Sequence, residues 1–456
     1  MSVRLVPDVA VPMADGVALV GDLFLPGGGP APCVVVRTPY GTPGLWPEAL
    51  AFAEAGVAAF VQDVRGRHRS DGVFVAGADE TTDGLATLDW IVTNPWSDGR
   101  VLLSGLAYES YTAWHASAHP SVIAVASRQP WPPDPHALDD ALWWRTDMAT
   151  GRTLRPGLHA LLHSLTPLPA PRTAQLVGAD VTEGEAEGER AAWAEQGRAV
   201  LAAVKAVRCP TLHVGSWYCG SAAASLRHAR ATGGTAVMGG WVSALTHRLQ
   251  DECAIKLPDG PDPADLMADW LLAIAHAKPW STETRCLFLG DGWRDGDPVP
   301  ASHPTYRALE TPGRTTLHHD PAHPVPALPH SADLGPPETR PDMLAFAHPG
   351  PLTWHGRATL TADVTPAHNA ELVLTLSHAR PDGVRTRLTD AVTPIPPNGG
   401  RITLRTAPTA VHLPPADTLH IELTLGRPPR HPTPTTPTTL RLTPGPLLLP
   451  EPKTPS

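Results

Sequence analysis

Strand and helix signals alternate through the first 130 residues, and strand-like runs resume after residue 208. Beyond residue 280 the chain reads as short strands between prolines. Alternation at this spacing predicts an α/β protein whose mainly parallel sheet is covered by helices on both faces. The prolines predict the rest: of 54 in the 456-residue chain, 31 lie beyond residue 280. Such density excludes long helices and leaves strands and turns, so the second domain is expected to be an all-β sandwich.

Taken in order, Gly16–Pro26 (GVALVGDLFLP) and Pro32–Thr38 read as strands, with Cys33 in an apolar run as a small buried residue. An Ala-rich helical stretch spans about 47–55, Val57–Val64 is another apolar strand, and Thr81–Val92 has helical periodicity. Val101–Gly105 is a strand feeding a further helix, and Cys209–Gly215 and Thr235–Gly240 extend the same sheet. Residues 131–207, rich in Trp, His and Pro and then helical from Glu183 to Val207, read as a cap inserted over the sheet's carboxyl edge. Ala264–Ala277 is one more amphipathic helix. Thr284–Leu289, Thr359–Val364, Leu372–Ser377, Arg401–Arg405 and Thr418–Leu425 are the strands expected of the second domain. The Pro/Thr-rich tail His431–Ser456 suits a last strand and a loose end. The expected units are 1–130 and 208–280 for the split α/β domain, 131–207 for the cap and 281–456 for the sandwich.

Composition narrows the function classes. A net charge of −10 without any basic run argues against nucleic acid and anionic membrane as partners. The 31 Arg against 4 Lys read as genome composition. Five cysteines at irregular spacing make neither a disulfide framework nor a C-x-x-C metal site. The start, MSVRLVPDVAVP, lacks a secretory pattern, and no apolar run reaches the ~18 residues of a membrane span. A soluble cytoplasmic protein is expected. His318 and His319 are adjacent and poorly placed to share a tetrahedral ion, and no phosphate-cradling glycine loop is present, so neither metal nor cofactor is expected.

The chemistry-bearing stretch is Gly105-Leu106-Ala107-Tyr108-Glu109-Ser110, at a strand-to-helix turn. A nucleophile elbow reads G-x-S-x-G, and here the central residue is alanine. Its neighbours are more telling. They include Val11-Pro12-Met13-Ala14-Asp15-Gly16-Val17, Arg37-Thr38-Pro39-Tyr40, Gln62-Asp63-Val64-Arg65-Gly66 with Ser70-Asp71-Gly72-Val73-Phe74, and Asp89-Trp90 with Trp96-Ser97-Asp98-Gly99. Later come Gly215-Ser216-Trp217-Tyr218, Gly239-Gly240-Trp241, Trp293-Arg294-Asp295 and Asp320-Pro321-Ala322-His323-Pro324-Val325-Pro326. In this order the chain resembles the cocaine esterase / X-Pro dipeptidyl-peptidase family of α/β-hydrolases, nearly end to end. The resemblance implies an α/β-hydrolase fold with a helical cap and a C-terminal jelly roll.

It also implies where a Ser–His–Asp triad would sit. The family's serine falls on Ala107, its acid on Cys219 and its base on Ser243, so ordinary triad hydrolysis is not expected. By the same resemblance Tyr40 supplies an oxyanion-hole hydroxyl, and the backbone N–H of Tyr108 is the second donor. Two donors aimed at a carbonyl oxygen stabilise an enolate as well as a tetrahedral oxyanion, which points to proton removal next to a carbonyl: epimerisation, elimination or cyclisation. Glu109, Cys219 and His247 are the candidate bases, set against plainer readings: a helix-dipole surface residue, a small filler and a solvated loop residue. Trp131, Trp143 and Trp144, with Asp134, His136, Asp139, Asp140 and Arg145, either pack cap onto sheet or line an aromatic pocket; Trp217 and Trp241 join them as candidate substrate contacts. The Asp63/Arg65 pair is expected to fix a loop. The expected partner is a small-molecule or peptide substrate, in a tailoring step of specialised metabolism, with homodimer formation left open. Competing expectations are hydrolysis through another nucleophile such as Cys219, and a non-catalytic binding protein.

Overall fold

A computed structural model of the chain describes residues 2–133, 144, 145, 148, 183–241, 262–280, 285–296, 298, 300–326, 340–367, 370–428 and 431–452, with backbone alone for 183–187. Ten strands make the main sheet: β1 (Arg4–Pro12), β2 (Ala18–Leu25), β3 (Ala31–Thr38), β4 (Ala58–Asp63), β5 (Ser97–Leu106), β6 (Val122–Arg128), β7 (Thr211–Ser216), β8 (Thr235–Gly239), β9 (Arg285–Phe288) and β10 (Gly292–Asp295). They are ordered β1-β2-β4-β3-β5-β6-β7-β8-β9-β10, and the strands from β3 to β9 run parallel.

Helices α1 (Trp46–Glu54), α2 (Glu80–Thr93), α3 (Tyr108–Ala116), α4 (Glu183–Ala206), α5 (Ala222–Thr232) and α6 (Pro263–Ala275) lie along this sheet. Alternation along each strand divides the side chains between two cores. Val34, Val36, Leu102, Ala124 and Ala126 pack with Phe52 of α1 and Trp270 of α6. Cys33, Val35, Leu103 and Val125 pack on the opposite face with Leu88 of α2, Trp114 of α3 and Trp193 of α4. Burial on both faces explains why central strands such as β3 read as unbroken apolar runs.

The C-terminal region is a β-sandwich of β11 (Tyr306–Leu309), β12 (Thr315–His319), β13 (Met343–Pro349), β14 (Leu352–Gly356), β15 (Thr359–Val364), β16 (Glu371–Ala379), β17 (Arg385–Pro394), β18 (Gly400–Arg405), β19 (Thr409–Leu413), β20 (Thr418–Leu425) and β21 (Thr438–Pro450). One sheet is ordered β11-β21-β15-β18, with β12 also on β21; the other is β13-β20-β16-β17, and β14 pairs with β19. Leu360, Leu404, Leu440 and Leu447 of the first face Leu372, Leu374, Ile421 and Leu423 of the second in one core. Together these are an α/β-hydrolase fold and a jelly-roll domain.

Two expectations are corrected. Thr284–Leu289, assigned by its prolines and period to the second domain, is β9 of the main sheet: Arg285 and Cys286 pair parallel with Val237 and Met238 of β8. The main sheet therefore runs to Asp295, beyond the expected boundary near residue 280. Asp63 and Arg65 are not a pair. Arg65 forks onto Asp83 (2.9 and 2.6 Å) and reaches Asp15 (2.6 Å), while Asp63 takes Arg69 at 3.2 Å. Among the described residues no helix is long and apolar enough to cross a membrane.

Beneath the sheet, His213 of β7 stacks on Trp114 (centroids 5.4 Å apart) and faces His228 of α5 at 6.5 Å. Burial chiefly pushes both imidazoles down to about 3, aided by the charge of His228 at His213 and of Arg227 at His228. A histidine held neutral in the fold but protonated near 6.5 when unfolded stabilises above that pH, and the contribution is lost as pH falls toward 3. The double variant His213→Gln/His228→Gln is therefore expected to be less stable than wild type at pH 7, with the deficit narrowing at pH 4. Urea unfolding at the two pH values measures this; a constant deficit would contradict the linkage.

Candidate active site

Sequence dictates a tight turn between β5 and α3. A Cβ on Gly105 would lie 2.2 Å from the Glu109 carbonyl carbon, so only glycine lets the helix start fold back over the strand end. Ala107 is the pivot, at φ 52 and ψ −118, a conformation that L-residues avoid. Its surroundings over-determine it. The Ala107 N–H donates to Arg128 O at 3.1 Å, and its carbonyl accepts Ser110 N–H (3.1 Å), Ser110 Oγ (2.8 Å) and Trp131 N–H (3.2 Å). The strained geometry of a nucleophile elbow is thus present, and the side chain it displays is a methyl group.

Glu109 sits directly behind this turn. Its Oε1 accepts the Thr38 hydroxyl at 2.8 Å and its Oε2 accepts the Leu106 N–H at 3.1 Å. Thr38 Oγ1 in turn accepts the Tyr40 N–H at 3.2 Å, so one carboxyl joins the end of β3 to the end of β5. The expectation of a dipole-complementing surface residue is corrected: Glu109 is 5% exposed, because α3 turns its first residues into the sheet edge. Burial pushes its carboxyl up to about 7, against the lowering effect of the two hydrogen bonds and of the nearby Arg128.

Tyr108 has its side chain in the core. Its hydroxyl donates to Glu80 Oε1 (2.9 Å) and accepts the Gly77 N–H (2.8 Å), and burial beside Glu80 pushes its pKa well up. Only its backbone N–H, at the first turn of α3, remains to face the elbow. Glu80 also pairs with Arg37 at 2.9 Å, a buried bridge beneath the site. Tyr40 is partly buried after β3, its ring edge-on to Trp144 with centroids 6.1 Å apart.

The tryptophans divide. Trp131 and Trp144 stack around Tyr108 at 4.9 and 5.4 Å, and Trp193 of α4 meets Trp131 at 6.4 Å. All three are buried, which supports packing of cap onto sheet. Arg145 lies 3.8 Å from Glu189 on α4. Trp217 is placed in the core shared with the sandwich, its indole N–H donating to Leu287 O at 2.8 Å. Trp241 packs with Trp293 and the α6 face. These placements correct the pocket-wall expectation for Trp217 and Trp241. Cys219, after β7, is partly buried with Sγ 3.1 Å from Ser221 Oγ. Ser243, His247, Trp143, Asp134, His136, Asp139 and Asp140 lie outside the described residues. Among the described residues no three His, Cys, Asp or Glu side chains gather as a metal site.

The elbow, the strand order and the cap make the comparison with known proteins informative. The family model for X-Pro dipeptidyl-peptidase (S15 family) matches residues 15–242, half of the chain. The chain belongs to this S15 family, a family of esterase- and peptidase-like hydrolases. Cocaine esterase from Rhodococcus sp. (strain MB1 Bresler) is 34% identical over 163 residues, a match spanning 32% of this chain and 28% of that protein. An alpha-amino acid ester hydrolase structure superposes with a TM-score of 0.77 at 19% identity, over 98% of this chain and 96% of the other. An aminopeptidase from a marine-sediment Thaumarchaeota archaeon superposes with 0.74 at 18% identity, with the same coverage. At such identity these structures share the S15 chain's fold, and the fold hosts more than one chemistry.

Two residues of the site carry little signal in the sequence. Thr38 stands out only as part of a motif, although its hydroxyl is a natural donor to the buried carboxyl of Glu109. Arg128 closes β6 beside the elbow, and its signal was a lone arginine ending an apolar run. Opposite effects are expected at the two ends of the turn. Ala107→Gly relieves the positive φ and should stabilise by about 1 kcal/mol, whereas Gly105→Ala should cost about 3 kcal/mol through overpacking. Urea unfolding of both variants checks the pair, and a destabilised Ala107→Gly would show that the turn holds no strain.

Proposed function

We propose that the chain uses a hydrolase frame for acid–base chemistry beside a carbonyl group, on a peptide or ester-like small molecule. The observation that carries the reading is the elbow, where Ala107 stands on the strained turn and the Glu109 carboxyl lies immediately behind it. In this reading Ala107, Cys219 and Ser243 occupy the three triad positions of the family, so no acyl-enzyme forms on the elbow. The Tyr40 hydroxyl and the Tyr108 N–H hold the carbonyl oxygen. Glu109, as the carboxylate, takes a proton from the carbon next to that carbonyl; the C–H electrons move into the enolate, and the oxygen's charge rests on the two donors. Return of the proton, on either face, regenerates a carbonyl compound. A carboxyl pushed up to about 7 is suited to give and take a proton at neutral pH.

The same reading favours the cytoplasm, where the thiols of Cys33, Cys209, Cys219 and Cys286, none in a disulfide among the described residues, stay reduced. A tailoring step in specialised metabolism is the setting we favour.

The test is incubation of N-acetyl dipeptides and their methyl esters in deuterated water, followed by mass spectrometry. Uptake of one deuterium on carbon without bond cleavage is expected. It should be lost in Glu109→Gln and slowed at least about tenfold in Tyr40→Phe, with the wild-type rate rising as pH passes about 7. Cleavage with incorporation of solvent oxygen would instead establish a hydrolase with another nucleophile, Cys219 foremost. Binding with neither change would leave a binding protein.

A further inference from the structure

Arg128 ends β6 at the carboxyl edge of the sheet, paired in register with Leu106 and bonded through its carbonyl to the elbow N–H. Ala124 and Ala126 of the same strand face α1 and α6, so alternation puts the Arg128 side chain on that face, at its open end. Nε and Nη1 are shut off from solvent, and among the described residues neither has a hydrogen-bond acceptor. Glu48 of α1, Glu109 of α3 and Asp262, the cap of α6, all lie close enough for their charges to act on the guanidinium. None is an ion-pair partner of Arg128 among the described residues. Two of the three are already engaged: Glu109 by Thr38 and Leu106, Asp262 by the N–H groups of Ala264 and Asp265.

A shielded guanidinium with open donors is costly, and removal of such a charge usually stabilises a protein. Its position argues for use rather than accident. Ligands of open α/β sheets bind at the carboxyl ends of the strands, and this arginine stands there, next to the elbow. A buried guanidinium with unfilled N–H groups at Nε and Nη1 is met by the charge-assisted hydrogen bonds of a carboxylate in a way that no neutral carbonyl matches.

We propose that Arg128 binds a carboxylate group of the substrate, fixing it beside the elbow. The substrate class is therefore a carboxylic acid that also carries the reacting carbonyl. This deepens the acid–base reading and rests on it for the location of the reacting carbon, while the binding itself can be measured without turnover. The surrounding acids set a pH dependence. Burial raises both the Glu48 and the Glu109 carboxyl, Glu109 to about 7, so below neutrality Glu109 is largely neutral and does not repel an anion. As pH rises, Glu109 ionises and opposes binding.

Titration calorimetry with phenylacetate and its neutral amide, phenylacetamide, tests the assignment on the full chain. Phenylacetate is expected to bind and phenylacetamide at least about tenfold more weakly, in line with the strength of charge-assisted pairing. Affinity for phenylacetate should fall as pH is raised from 6 to 8. Arg128→Gln should abolish the preference for the acid, and Arg128→Lys should keep part of it; circular dichroism establishes that each variant is folded. Equal binding of acid and amide by wild type, or an acid preference that survives in folded Arg128→Gln, overturns the proposal. Absence of phenylacetate binding by wild type also overturns it. Deuterium exchange failing while Arg128-dependent binding holds would sink the reaction alone and leave the carboxylate site standing.

Discussion

One carboxyl holds the candidate site together. Glu109 accepts from the Thr38 hydroxyl at the end of β3 and from the Leu106 N–H at the end of β5, and through Thr38 it steadies the backbone of Tyr40. The two halves of the proposed oxyanion pocket come from separate strands, so their spacing depends on something that spans both. A buried carboxyl with two acceptor oxygens does this with two hydrogen bonds, each stronger than a neutral pair when the group is ionised. Its raised pKa is the electrostatic cost of that placement, and it leaves the clamp poised between two protonation states at neutral pH.

The layers beneath follow the same logic. Arg37, from β3, pairs with Glu80 at the start of α2, and Glu80 receives the Tyr108 hydroxyl from α3. Thr112 of α3 donates to Arg37 O at 3.0 Å. Both charges are almost fully buried, so either partner alone would be a heavy burden, and together they fix the helix that carries the elbow. This separates a structural carboxylate from the proposed chemical one: Glu80 pairs with Arg37, whereas Glu109 feels only the charge of Arg128.

How much of this the sequence discloses depends on the length scale of the signal. Two-faced burial writes itself as apolar runs, and β3, β4, β5, β7 and β8 were legible for that reason. β1 was not, because it is an exposed edge with little hydrophobic pattern. β6 was missed because VIAVASR is too short to separate strand from helix by period. β9 was assigned to the wrong domain because pairing across sequence leaves no local mark. In the site, Ala107 was legible through its flanking motif, and the burial of Glu109 was not: a glutamate in a first helical turn looks like a dipole partner until the helix's orientation is known. Trp217 and Trp241 mislead for a related reason, since an indole is equally suited to a pocket wall and to a seam between packed elements.

The longest strand of the sandwich is built from one of the least promising stretches. β21, from a tail rich in proline and threonine, pairs with β11, β12 and β15. Two of these are made more than a hundred residues earlier, so during synthesis they wait as unpaired edges. The α/β sheet needs nothing after Asp295 for its strand pairing and can form first. The jelly roll closes only when Thr438–Pro450 has emerged, which makes its assembly a late event of high contact order. Assembly of the sandwich thus waits on β21, far along the sequence from the elbow of the candidate site.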